Sequence, residues 1–172
     1  MSVTQVVLNN LPEAYGEATI KDFVEGTLDI DVRGVVTSNA LPGKALINFY
    51  QEIDFSEASK VLRQTSIEGK VVFVFPATIV PDTVVVNDVD TKFLSEEFLT
   101  IYFCAMFGNG EDVVASCKML HKFSIAIVTF KENCEAMTCI LANKDHVPLP
   151  SKNYHIVVEP FYKHFHSSLM ID

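Results

Sequence analysis

The sequence predicts an α+β protein built from two consecutive βαββαβ units, each an antiparallel sheet with both helices on one side. The first observation behind this is an internal duplication. Val6-Val7-Leu8-Asn9-Asn10-Leu11 recurs 78 residues later as Val84-Val85-Val86-Asn87-Asp88-Val89, and Ala45-Leu46-Ile47-Asn48-Phe49 recurs 81 later as Ala126-Ile127-Val128-Thr129-Phe130. Glu57-Ala58 is matched by Glu135-Ala136, and Phe73-Val74-Phe75-Pro76 by Val157-Val158-Glu159-Pro160. Matches in one order at offsets near 80 are the mark of a repeated structural unit. The second observation is that period-two and period-3.6 segments alternate in the same order in both halves. The third is composition: 172 residues, 49% hydrophobic and 20% charged, suffice for one large core or two small ones and exclude a disordered chain.

In the first unit, Thr4 to Leu8 is β-branched and ends at the turn cluster Asn9-Asn10-Leu11-Pro12, so it predicts a strand. Ile20, Phe23 and Val24 share one helical face, and Gly26 suits the exit of that helix. Strands Val32 to Thr37 and Ala45 to Tyr50 are joined through Pro42-Gly43. Asp54 caps a second helix striped by Phe55, Ala58, Val61 and Leu62, and Val71 to Phe75 is the last strand. The second unit repeats the order. Strand Thr83 to Val86 precedes a helix from Ser95 bearing Leu99, Tyr102 and Phe103, stopped by Gly108-Asn109-Gly110. Strands Val113 to Met119 and Ile125 to Phe130, a helix Glu132 to Ala142 and a strand Tyr154 to Val158 complete it. This is the split-βαβ, ferredoxin-like sandwich, whose second sheet face stays open. Expected boundaries are 1–78, 82–164 and a tail 165–172, with a short apolar, proline-bearing junction at 77–82.

Charge narrows the function classes. Thirteen Lys plus Arg against 22 Asp plus Glu give a net −9, with 6 basic and 10 acidic side chains in residues 1–80, so neither half is a basic arm. That balance disfavours a polyanion-binding groove. The longest uncharged runs, Val71 to Pro81 and Phe98 to Gly110, fall well short of the ~20 residues of a spanning helix. The start Met1-Ser2-Val3-Thr4-Gln5 has no basic, apolar leader pattern, which predicts an intracellular protein, cytoplasmic or nuclear. Cys104, Cys117, Cys134 and Cys139 form no C-x-x-C pair, so reduced, inert thiols are expected and neither a metal nor another cofactor.

Each half resembles an RNA recognition motif (RRM), whose signature sits in strands one and three. The strand-three octapeptides are Pro42-Gly43-Lys44-Ala45-Leu46-Ile47-Asn48-Phe49 and Phe123-Ser124-Ile125-Ala126-Ile127-Val128-Thr129-Phe130. The family sets base-stacking rings at the third and fifth octapeptide positions and the second of strand one. Here those positions hold Lys44, Leu46 and Val7, then Ile125, Ile127 and Val85. Residues two apart share a strand face, so Ala126, Val128 and Phe130 turn toward the helices, while Phe123, Ile125 and Ile127 turn outward beside Val85. The reading is an aliphatic patch that wants a protein partner or a covering segment, with Val7 and Leu46 as its weaker counterpart.

The run Phe98-Leu99-Thr100-Ile101-Tyr102-Phe103, the following Gly108-Asn109-Gly110 and the strand endings Phe75-Pro76 and Val158-Glu159-Pro160-Phe161-Tyr162 are similar to degenerate RRM-like repeats of macrodomain-containing PARP-family mono-ADP-ribosyltransferases. Similar modules occur in Nmi-type interaction proteins. The resemblance implies a non-catalytic targeting region or free-standing relative, since no stretch remains for a transferase or macrodomain fold. Two functions follow from these readings: recognition of a protein partner or self-association, and, as the alternative, weak single-stranded RNA binding through loops. Lys44, Lys118, His121 and Lys122 are the candidate phosphate contacts. His164 and His166 read as solvated tail residues, and Phe161, Tyr162 and Phe165 as aromatics packed over a sheet.

Overall fold

A computed structural model describes residues 1–142, 147–148 and 155–170. The chain divides into two compact units, Met1–Thr78 with Tyr162–Asp172, and Ile79–Phe161. The residues from Tyr162 onward thus join the first unit, rather than the second module ending at 164.

In the first unit, β1 (Ser2–Asn9), β2 (Val32–Val36), β3 (Ala45–Asp54) and a later strand β6 (Phe73–Pro76) form one sheet in the order β2-β3-β1-β6, with antiparallel neighbours. Helices α1 (Glu17–Leu28) and α2 (Phe55–Gln64) back one face. Ile20, Val24, Ala58 and Leu62 from the helices bury with Val6, Leu8, Ala45, Ile47, Phe49 and Val74 from the strands. Asp54 caps α2 as its side chain predicts, its carboxylate accepting from the Glu57 N–H at 3.1 Å.

Two local expectations fail for identifiable reasons. Helix α1 does not leave at Gly26; it runs to Leu28 and closes on Asp29 at φ 54°, whose N–H reaches the Glu25 carbonyl at 2.9 Å. A short polar residue tolerates the left-handed conformation well enough to replace glycine there. The last strand is not continuous from Val71. Glu68 and Gly69, at φ 49° and 79°, turn a small hairpin of β4 (Ser66–Ile67) and β5 (Lys70–Val71), and only β6 enters the sheet.

The second unit holds β7 (Ile79–Asn87), α3 (Glu96–Phe107), β8 (Val114–Leu120), β9 (Ile125–Phe130), α4 (Asn133–Ala142), β10 (Val147–Pro148) and β11 (His155–Tyr162). Its sheet runs β10-β11-β7-β9-β8. Leu99, Tyr102, Phe103, Ala136 and Cys139 of the helices pack on Val84, Val86, Ala126, Val128 and Phe130. Ser95 caps α3 by accepting from the Phe98 N–H at 3.0 Å. At the other end Gly108 closes the helix, where an added Cβ would lie 2.7 Å from a Val113 methyl. The expected start of the last strand, Tyr154, lies outside the described residues. Among the described residues no helix is long and apolar enough to cross a membrane.

Candidate functional site

Strand parity leaves Gln5, Val7, Leu46 and Asn48 on the first sheet's side away from the helices, and Phe75 opposite Val7. Val7 and Leu46 are direct cross-strand partners, but they are 0% and 5% exposed rather than open. Their cover is the C-terminal segment, a short helix α5 (Lys163–His166) followed by a 3-10 turn (Ser167–Met170). Phe165 and Leu169 are buried, the Tyr162 hydroxyl meets the Gln5 side-chain amide at 3.3 Å, and Lys44 Nζ donates to Ser168 Oγ at 3.3 Å.

His164 and His166 are not solvated tail residues. His164 stacks on Phe75, and His166 is buried with Nδ1 accepting from the Tyr162 N–H at 2.9 Å. Burial, reinforced by the nearby Lys44 ammonium, lowers the His166 pKa to about 4. Burial, then the charges of Lys163 and Lys44, pushes His164 down too. Partial desolvation lowers the Lys44 ammonium pKa. The lysine expected as a phosphate contact is therefore engaged by the tail.

In the second unit Val85 pairs with Ile127, and Lys118 flanks Ile127 on the other side. Val85 and Ile127 are 1% exposed and Ile125 6%, so the expected open aliphatic patch is a buried one. Phe123 sits half-buried in a 3-10 turn, His121–Phe123, with Lys122 Nζ 5.5 Å from its ring centroid, and His121 is exposed. At the same face Asn87 donates to Glu159 at 2.8 Å, and burial raises the Glu159 pKa. Cys139 and Cys117 are not activated: burial pushes Cys139 up to about 12, and burial with the neighbouring Glu96 pushes Cys117 up to about 11.

One part of the first sheet face escapes the tail. Thr4, Gln5, Arg33, Gly34, Asn48, Phe49 and Tyr50 line a shallow cavity of about 570 Å³. Gln5 Nε2 donates to Asn48 Oδ1 at 2.6 Å, and Tyr50 is 71% exposed. Tyr50 is absent from the candidates that the sequence motifs supply, although the spacing 44, 46, 48, 50 places it on the same face, just past the octapeptide.

A family model describing the third RRM domain of PARP14 matches residues 81–169, slightly more than half of the chain. The chain belongs to the family of the PARP14 third RRM domain. A PARP14-type RRM is a recognition domain, and this chain is accordingly a non-catalytic binding domain. No curated protein matches it. Similar solved structures include the C. elegans NONO-1 homodimer (18% identity over 91% of this chain and 61% of that one, TM-score 0.39). The three N-terminal RNA-binding domains of the yeast splicing factor Prp24 give 18% identity, 91% and 65% coverage and a TM-score of 0.37. Sex-lethal RNA recognition domains 1 and 2 from Drosophila melanogaster give 18%, 91%, 98% and 0.36. The chain thus spans less than two thirds of the NONO-1 and Prp24 chains.

Proposed function

We propose that the chain is a tandem of two PARP14-type RRM-like modules that recognises protein ligands inside the cell, as the targeting part of an ADP-ribosyltransferase-like protein or as a free-standing relative. One observation carries this reading: the six positions at which an RRM sets its stacking rings hold Val7, Lys44, Leu46, Val85, Ile125 and Ile127, and five of them are buried. Each lost stacking platform removes about 1 to 3 kcal/mol of base affinity, and a net −9 opposes phosphate. Ile101 and Met106 of α3 and Met137 of α4 are among the apolar side chains that remain exposed, and these suit a protein surface better than a nucleic acid.

Fluorescence anisotropy with short single-stranded RNAs at physiological salt tests the proposal. Binding weaker than about 1 μM, tolerant of sequence and steep in salt, is expected. Submicromolar, sequence-selective binding overturns it. A second reading, weak RNA binding away from the usual positions, is favoured by one arrangement, the exposed Tyr50 beside Arg33.

A further inference from the structure

We propose that the uncovered part of the first sheet face, around Tyr50, Arg33, Gln5 and Asn48, is a single-stranded RNA site displaced two same-face positions along strand three from those that normally stack bases; it rests on the second reading above. The backbone is built for a site there. The β1–β3 ladder shifts register between Val3 and Gln5, and the β2–β3 ladder shifts between Val32 and Gly34. Gln5 and Gly34 both oppose Asn48, so the two irregularities meet at one row of the sheet. Bulges re-aim side chains and gather beside functional sites. Here they accompany a tyrosine ring 71% exposed at the next same-face position of β3.

The side chains present complementary chemistries. Tyr50 supplies a ring on which a base stacks. Among the described residues the side chains of Arg33 and Tyr50 have no hydrogen-bond or ion-pair partner, which leaves the guanidinium for a phosphate. Gln5 occupies Asn48 Oδ1, which leaves the Asn48 Nδ2 donors for a carbonyl on a base edge. A nucleotide uses all three at once, its base taking the ring and the amide and its phosphate the arginine. The cavity of about 570 Å³ lies within the usual range for small-ligand sites. The tail fixes one wall through the Tyr162 hydroxyl on Gln5.

The chain contains no tryptophan, so Tyr50→Trp in the full chain creates a single indole fluorophore at the site. Titration with hexauridylate and hexaadenylate at about 50 mM salt should quench that indole in a saturable way, whereas the indole of Phe73→Trp, at a position 47% exposed in β6, should stay unquenched. With labelled RNA followed by anisotropy, Tyr50→Ala should weaken binding about 5- to 150-fold, and Arg33→Gln should lower the log-log salt slope by about 0.7. RNA binding by anisotropy with the Tyr50→Trp fluorescence unquenched and Tyr50→Ala unaffected overturns this site but leaves RNA binding standing. No detectable binding at low salt overturns both.

Discussion

His164 lies flat on Phe75, with ring centroids 4.3 Å apart and planes inclined by 12°. The imidazole thus occupies the face of an aromatic on the outer side of the first sheet, held there by a segment whose Phe165 and Leu169 bury beside it. Because such a pair adds about 0.5 to 1.5 kcal/mol beyond area burial, a double-mutant cycle of His164→Ala and Phe75→Ala in urea should return a coupling of that size. Strictly additive effects would mean that the two rings merely adjoin.

His166 makes the same segment sensitive to acid. Its pKa is about 4 in the folded protein against 6.5 in the unfolded chain, so the unfolded chain takes up the proton first as pH falls. The corresponding stability is complete above about pH 6.5, declines between 6.5 and 4, and levels off below; the lowered His164 pKa acts in the same sense. Urea unfolding at pH 7 and 4.5 should differ by about 2 kcal/mol less in His166→Asn, which keeps an acceptor for the Tyr162 N–H but does not titrate. An unchanged difference would assign the acid sensitivity elsewhere. Glu159, with its pKa raised by burial, contributes in the opposite sense, losing stability as pH rises through its folded pKa.

Ile127 is 1% exposed, so Ile127→Asp places an unpaired carboxylate in an apolar setting and should cost about 2 to 4 kcal/mol in thermal or urea unfolding. A melting temperature within a degree of wild type would show that this strand face is open in solution.

Gly108 offers a steric test. An alanine there would bring Cβ within 2.7 to 2.8 Å of both Val113 methyls and the Glu111 carbonyl. Gly108→Ala should destabilise by about 1 to 3 kcal/mol, and Val113→Ala in the same chain should recover part of the loss. Measured by urea unfolding, a neutral Gly108→Ala would mean that the turn simply relaxes.

The alternation of strand and helix was legible because it is written in local periodicity. So was the cap Asp54, a side chain meeting an N–H three residues ahead; Ser95, read as the start of α3, turns out to cap it in the same way. The exit of α1 was misplaced because glycine is only the commonest left-handed residue, and Asp29 serves as well. The faces of Val7, Leu46, Val85 and Ile127 followed from parity, but their burial did not. For Val7 and Leu46 the cover comes from residues more than a hundred positions away, and no pattern within a strand records what will lie on top of it. Tyr50 escaped for a different reason: the motif that marks strand three ends at Phe49, while the strand itself continues to Asp54.

The first unit is discontinuous in sequence, and the Gln5–Tyr162 contact joins residues 157 positions apart. A ribosome delivers Gln5 long before Tyr162, so the sheet bearing Val7 and Leu46 emerges with its outer face bare while everything between them is being made. That interval leaves an aliphatic surface exposed to chaperones or to a neighbouring nascent chain, and closing so long a loop is entropically costly and slow. Completion of this unit is therefore a late event in the life of the nascent chain, paced by the arrival of the segment from Tyr162 to Met170.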